Sequence, residues 1–541
     1  MNKIQILIPL LLVVVLAACT GETTTTNENN QSSSSDETVS VKKVDTEGRE
    51  VNEINITAQE TDWMLNDKKM VNAWTYGGTI PGKEVRVTQG EVVKVNLQNK
   101  LPKPVTIHWH GYPVPNTEDG VAGVTQDAVP PGESYTYNFV ATVPGTYWYH
   151  SHQNSVEQVD KGLYGVLIVE PKEGVNADRD YTLVLDEWQS NPDEGMDMGG
   201  DKANEENMNG MDQQNSGKGM DGMNHGDSSS DKEKNHVMSG MSGKEMMGHD
   251  MSSYDIFTIN GKTYEANEPL EVKKGEKVKL RFINAGYIVH KIHIPVDYKI
   301  THVDGQPVNN PSVEKGSVLE IAPGERYDIA FTANSGQNFT IDDHTDMAGA
   351  KYMKIDVAYQ NSKGNESEHP KANSKANLMD LGEKEEGQFS LDDNFDVEYQ
   401  MDLGSEMDME KSMGMAYTIN GNAYPNVPPL KVEKGDLVKV KMTNKMSGDD
   451  AEAVHPMHLH GHFFQVLSKN GKTVKGSPIV KDTLNVKPGE TYVIAFKADN
   501  PGNWLFHCHD LHHATAGMLQ LVKYNNFEDF EPSGDVKNIT E

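Results

Sequence analysis

The chain has 541 residues, a formal net charge of −32 at pH 7 and two cysteines. That length is enough for about three or four domains. The acidity argues against a nucleic-acid partner and suits a protein that attracts cations outside the cell.

Lys3, the apolar run Ile4 to Val15 and then Leu16-Ala17-Ala18-Cys19 read as a secretion signal over residues 1–18. The apolar part is too short for an ordinary transmembrane helix. Its ending resembles a bacterial lipoprotein lipobox. That resemblance implies a lipid on Cys19 and an extracytoplasmic protein anchored to a bacterial cell membrane. An ordinary signal peptide with an incidental cysteine is the alternative. Residues 19–44 then form a tether, because 20–40 are Thr, Asn, Ser, Gln and acidic residues with almost no core-formers.

Next comes a repeat seen three times. Gln89-Gly90-Glu91, Lys274-Gly275-Glu276 and Lys434-Gly435-Asp436 each open an alternating strand that ends at Asn99, Asn284 and Asn444. Pro131-Gly132-Glu133, Pro323-Gly324-Glu325 and Pro488-Gly489-Glu490 follow in turn. Three copies of an all-β unit predict three β-sandwich domains, near 45–172, 178–360 and 388–525, without long helices. Two segments break the pattern. Residues 192–252 hold eleven methionines, and no Leu, Ile, Val or Phe lies between Pro192 and His236; residues 401–415 hold five more. Core methionines need apolar neighbours. These have none in sequence, so both segments are expected to be mobile loop insertions.

Histidines cluster with HxH spacing at His108-Trp109-His110, His150-Ser151-His152, His458-Leu459-His460 and His507-Cys508-His509; His455 precedes the third, and His513 and Met518 follow the fourth. In a strand such a pair shows both rings on one face. Cys508 then points opposite to His507 and His509, so one peptide can touch two metal sites. Thiolate, imidazole and thioether are together the ligand set of blue copper. Each cluster alone fits surface histidines, and zinc is the alternative metal. Zinc, however, does not call for four such pairs.

The four motifs, in order over about 45–525, resemble those of multicopper oxidases. The resemblance implies three cupredoxin-like Greek-key sandwiches and four coppers. It implies His455, Cys508 and His513 on a type 1 copper with Met518 axial. His108 and His458 would bind type 2, and His110, His150, His152, His460, His507 and His509 the type 3 pair. Domain 2 would be a spacer, with His290 and His293 carrying no copper. Asp119 matches the family's acidic residue and would supply protons; its alternative is a turn aspartate before Gly120. Many relatives place a second acid directly after the last type 1 histidine, where this chain has Ala514.

Such an enzyme takes electrons singly from a reductant and reduces dioxygen to water. Cu(I) is the favoured reductant, because methionine thioethers are soft donors that prefer it, and the role would be copper tolerance. Asp449, Asp450 and Glu452 are weaker candidates for holding an incoming cation, or a solvated acidic loop. A laccase-like phenol oxidase is the alternative enzyme. A copper-storage lipoprotein without turnover is the alternative class, and a copper nitrite reductase would not need four HxH segments. A monomer is expected.

Overall fold

In the chain's computed structural model the described residues are 46–190, 251–360, 374–408, 414–447 and 454–541, with 362 and 372. The expected signal, Cys19 and tether lie outside them. So do nearly all of the methionine segment 192–252, and Asp449, Asp450 and Glu452. Among the described residues no helix is long and apolar enough to cross a membrane.

Each repeat becomes a Greek-key sandwich of two sheets. The first pairs a four-stranded with a three-stranded sheet; the second and third each pair a seven-stranded with a five-stranded one. Period-two patterning drives this: in Val92–Asn99 the valines and Leu97 are buried while Lys94, Asn96 and Gln98 are less covered. The topology repeats as well. Val51–Met64, Arg179–Gln189 and Val397–Asp408 run parallel to Val92–Asn99, Lys277–Asn284 and Leu437–Asn444. These in turn pair antiparallel with Ser134–Val140, Arg326–Thr332 and Thr491–Lys497.

The repeated asparagine explains why the sequence motif recurs. Asn99, Asn284 and Asn444 each donate a side-chain hydrogen bond to the carbonyl two residues before the Pro-Gly-Glu, on Val129, Ile321 and Val486 (2.8, 2.9 and 2.9 Å). Each side-chain oxygen accepts from the backbone two residues on. The glycine of each Pro-Gly-Glu donates to the same asparagine's carbonyl. One buried side chain thus locks the strand end to the next turn in all three domains.

The 401–415 segment corrects the expectation of a mobile methionine loop. Val397–Asp408 and Gly414–Ile419 form an antiparallel hairpin with Met407 opposite Met415. Met401 is fully buried, Met415 packs against the core, and Met407 is 44% exposed. The apolar partners come from across the sheet: Met401 is paired with Met442, and Leu403 lies opposite Ile419. Of this segment only 409–413 lies outside the described residues.

One buried cluster runs from Trp148 and Tyr164 of the first sandwich through Phe257 and Ile329 of the second to Trp504 and Phe506 of the third. The second and third sandwiches therefore share a continuous core with one face of the first, whose own interior, around Val95, Trp109 and Tyr149, is a separate cluster.

Candidate metal centres

Strand alternation sorts the ligands. His455–Leu459 pairs antiparallel with Asn503–Cys508, setting Met457 opposite Cys508 and His458 opposite His507. His455 and Met457 share a face, so His455 joins Cys508 on one side, and His458 joins His507 on the other. His513 reaches the first side from the short helix Leu511–Thr515, which Asp510 caps by accepting from the backbone of His512.

On that side His455 Nδ1, His513 Nδ1 and Cys508 Sγ converge. The nitrogens lie 3.3 Å apart and 3.8 and 3.7 Å from the sulfur, all buried. Met518 is buried at the end of a pinned loop: its carbonyl accepts from the Cys508 backbone (3.0 Å), and its N–H donates to His513 (2.9 Å). Tyr417 stacks on His513, with ring centroids 3.9 Å apart. Burial, and then Asp510, push the Cys508 thiol well up. Burial, and then His513, hold His455 well down. The outward Nε2 of His455 meets the thioether of Met446 at 3.1 Å.

On the other side eight histidines gather, all buried. His108 stacks on His460 and His110 on His458, at centroid distances of 3.9 and 3.7 Å. Groups of donor atoms that could share an ion are His108, His458 and His460; His108, His110 and His150; and His152, His460 and His507. The back of most rings is fixed by an acceptor. His108 Nδ1 is 2.8 Å from the Asp119 carbonyl, and His150 Nδ1 is 3.0 Å from that of Ser151. His152 Nδ1 is 2.8 Å from Thr540, His458 Nδ1 is 3.0 Å from Asp482, and His507 Nδ1 is 2.9 Å from Cys508, again to carbonyls. His460 Nδ1 is held by the Asp119 carboxylate at 3.0 Å. His108, His150, His152 and His458 keep a buried Nε2 without a hydrogen-bond partner, as does Nδ1 of His110. Buried orphan nitrogens with the opposite nitrogen committed are what metal ligation needs. Burial holds His110, His150, His460, His507 and His509 well below the usual imidazole range, and it holds His152 at about 3. The rings are therefore neutral, with lone pairs to give. The donor set fits copper.

Asp119, expected as a proton source, is 1% exposed and closes the turn Asn116–Glu118. It holds two rings, His460 through its carboxylate and His108 through its carbonyl. The turn reading therefore describes its backbone, while its carboxylate is turned to a histidine ring. Ala514 is buried on the Leu511–Thr515 helix.

Domain 2 does more than space the others. Arg326 pairs with both oxygens of Asp482 (2.7 and 2.6 Å). Asp482 in turn accepts from Thr483 Oγ1, which lies 3.0 Å from His458 and 3.1 Å from His110. Gly324 sits so near the rings that a Cβ there would be 3.0 Å from His509 and 3.1 Å from His110. Gly111, at φ +73°, leaves room for the ion pair, since a Cβ would fall 2.3 Å from Arg326 and 2.4 Å from Asp482. Arg326 had a signal in the sequence: it follows Pro-Gly-Glu where the other two repeats have Ser134 and Thr491. Asp482 and Met446 had none. His290, given no copper, is an ion-pair hub between Glu187 (2.7 Å) and Asp343 (2.8 Å).

Multicopper oxidase family models match residues 57–174, 225–362 and 392–527. A multicopper oxidase of Mycobacterium tuberculosis is 30% identical over 483 residues, covering 84% of either chain. Copper resistance protein A of Escherichia coli is 24% identical, covering 87% of this chain and 90% of its own. Among solved structures, Fet3p, a multicopper oxidase that functions in iron import, superposes with TM-score 0.68 at 20% identity, over 88% of this chain and 91% of its own. A laccase from Botrytis aclada gives TM-score 0.66 at 22% identity and 89% coverage of each chain. The chain belongs to the multicopper oxidase family, oxygen-dependent oxidases that hold four coppers.

Proposed function

We propose that this oxidase uses Cu(I) as its reductant and serves copper tolerance. The observation that carries the reading is Met446, a soft thioether 3.1 Å from the outward nitrogen of His455. The methionines of 192–252 add soft donors to the same chain. Where the described chain resumes, Met251 is buried and Tyr254 Oη lies 3.4 Å from His512 Nε2, on the helix that carries His513. The relative named for copper resistance agrees.

His455, Cys508 and His513, with Met518, are the type 1 ligands. His108 and His458 hold the type 2 ion; His110, His150, His152, His460, His507 and His509 hold the type 3 pair. Copper so bound supplies one-electron oxidation of the reductant and reduction of dioxygen to water. The protein's part is to join the centres: Cys508 lies between His507 and His509 in one peptide, so a covalent path links them. Asp119 fixes the His460 and His108 rings and is a carboxyl beside them for proton delivery. Cys19 anchors the chain, as a monomer, outside a bacterial cell membrane; the support is the Leu-Ala-Ala-Cys sequence.

A laccase-like phenol oxidase is the second reading, favoured by relatives named Laccase-1 in Cryptococcus neoformans at 25 and 26% identity. Steady-state kinetics separate the two. Met446→Leu keeps the volume and removes the sulfur, so KM for Cu(I) should rise several-fold while phenol turnover holds. Wild type that turns over phenols well and Cu(I) poorly would favour the laccase reading.

A further inference from the structure

The segment after strand Leu519–Tyr524 leaves the third sandwich and ends on the first. Asn538 donates to Asp127 (2.6 Å) and accepts from the Ala128 backbone (2.9 Å). Ile539 donates to Gln153 (2.9 Å) and its carbonyl accepts from Asn154 (2.9 Å). Thr540 donates to the Ala122 carbonyl (3.1 Å), and its own carbonyl takes the Nδ1–H of His152 (2.8 Å).

This ladder delivers Glu541 into the histidine cluster with its side chain 4% exposed. One carboxyl oxygen accepts from Ser155 Oγ. The other, Oε1, lies 3.2 Å from His152 Nε2 and 3.3 Å from His507 Nδ1 and has no hydrogen-bond partner. His152 has spent its N–H on Thr540, so its Nε2 offers a lone pair. His507 Nδ1 is likewise turned to the Cys508 carbonyl at 2.9 Å. A carboxyl oxygen thus faces an imidazole lone pair in a dry site, an arrangement that repels unless a proton or a cation lies between the two. Two donors bound at roughly 2.0–2.2 Å to one ion stand about 3 Å apart, as these do.

We propose that Glu541 is a copper ligand, an oxygen donor beside Nε2 of His152. The proposal rests on the ligand assignment above. It gives the cluster a carboxylate that none of the four histidine motifs announces. It also makes residues 533–541 part of the metal centre.

The test compares the full chain with Glu541→Ala and Glu541→Gln, each loaded with copper and dialysed against a chelator. Copper per chain, the blue band and the electron paramagnetic resonance of the cluster are followed in time. Wild type should keep four coppers. Glu541→Ala should release copper from the cluster about 10–100-fold faster with its blue band intact, and Glu541→Gln should fall between. The unchanged blue band guards against misfolding. If Glu541→Ala fails to fold, the isosteric Glu541→Gln carries the test, through a changed cluster spectrum and faster release. Wild-type retention and spectra in both variants would overturn the proposal alone. A wild type that never holds four coppers would overturn the ligand assignment with it.

Discussion

Cys508 carries the residue-scale argument. Its thiol is buried and pushed well above its usual range, so it is protonated in the copper-free chain. Copper loading must displace that proton. Cys508→Ser should abolish the blue colour and oxygen uptake; a blue, active variant would remove the type 1 assignment. His290 gives a second prediction. Burial opposes its charge, but Asp343 and Glu187 outweigh burial and raise it to about 10. A folded pKa above the unfolded value of about 6.5 means stability that is fully present below that pH and lost as pH rises through about 10. His290→Gln should therefore cost about 3 kcal/mol at pH 6 and markedly less above pH 10. Denaturant unfolding at the two pH values checks it, and equal losses would show that the imidazolium is not the stabilising form. The ring positions were legible in the sequence because HxH spacing fixes strand faces. The residues behind the rings were not. Asp482 and Met446 act across strands, and no local spacing encodes such contacts.

At the scale of elements, the repeated asparagine is the clearest link from sequence to packing. Asn284 donates twice, to Ile288 and Ile321, and accepts from Gly286, all buried. Asn284→Ala orphans those groups and should cost about 1–3 kcal/mol. A loss below about 0.5 kcal/mol by denaturant unfolding would contradict this role. The Gly-turn and Pro-Gly-Glu pattern was legible because it is local and occurs three times. The hairpin at 401–415 was not, because its apolar partners, Met442 and Ile419, come from neighbouring strands. A methionine among acidic residues in sequence can still be core in space.

At the scale of the molecule, Arg326 ties domain 2 to the histidines of domains 1 and 3. Arg326→Met would leave Asp482 buried without its partner and should destabilise the protein by about 3–5 kcal/mol. It should also lower copper occupancy at His110 and His458, which Thr483 and Asp482 hold. Full stability and occupancy would return domain 2 to the role of a spacer. The three-sandwich plan was readable from the repeat, since each copy must bury its own alternating face. The convergence of three domains on one centre was readable only in part: Arg326 broke the repeat, and nothing in sequence said what it met. These scales meet in the proposal that Cu(I) is the reductant of this oxidase and that the Cys508 peptide would join its two groups of copper ligands. The most direct test is the stoichiometry of oxygen consumption with Cu(I). Wild type should use roughly four Cu(I) ions per dioxygen without peroxide, and Cys508→Ser should use none above the uncatalysed rate. Peroxide accumulating with roughly two Cu(I) per dioxygen, or uptake persisting in Cys508→Ser, would contradict the account.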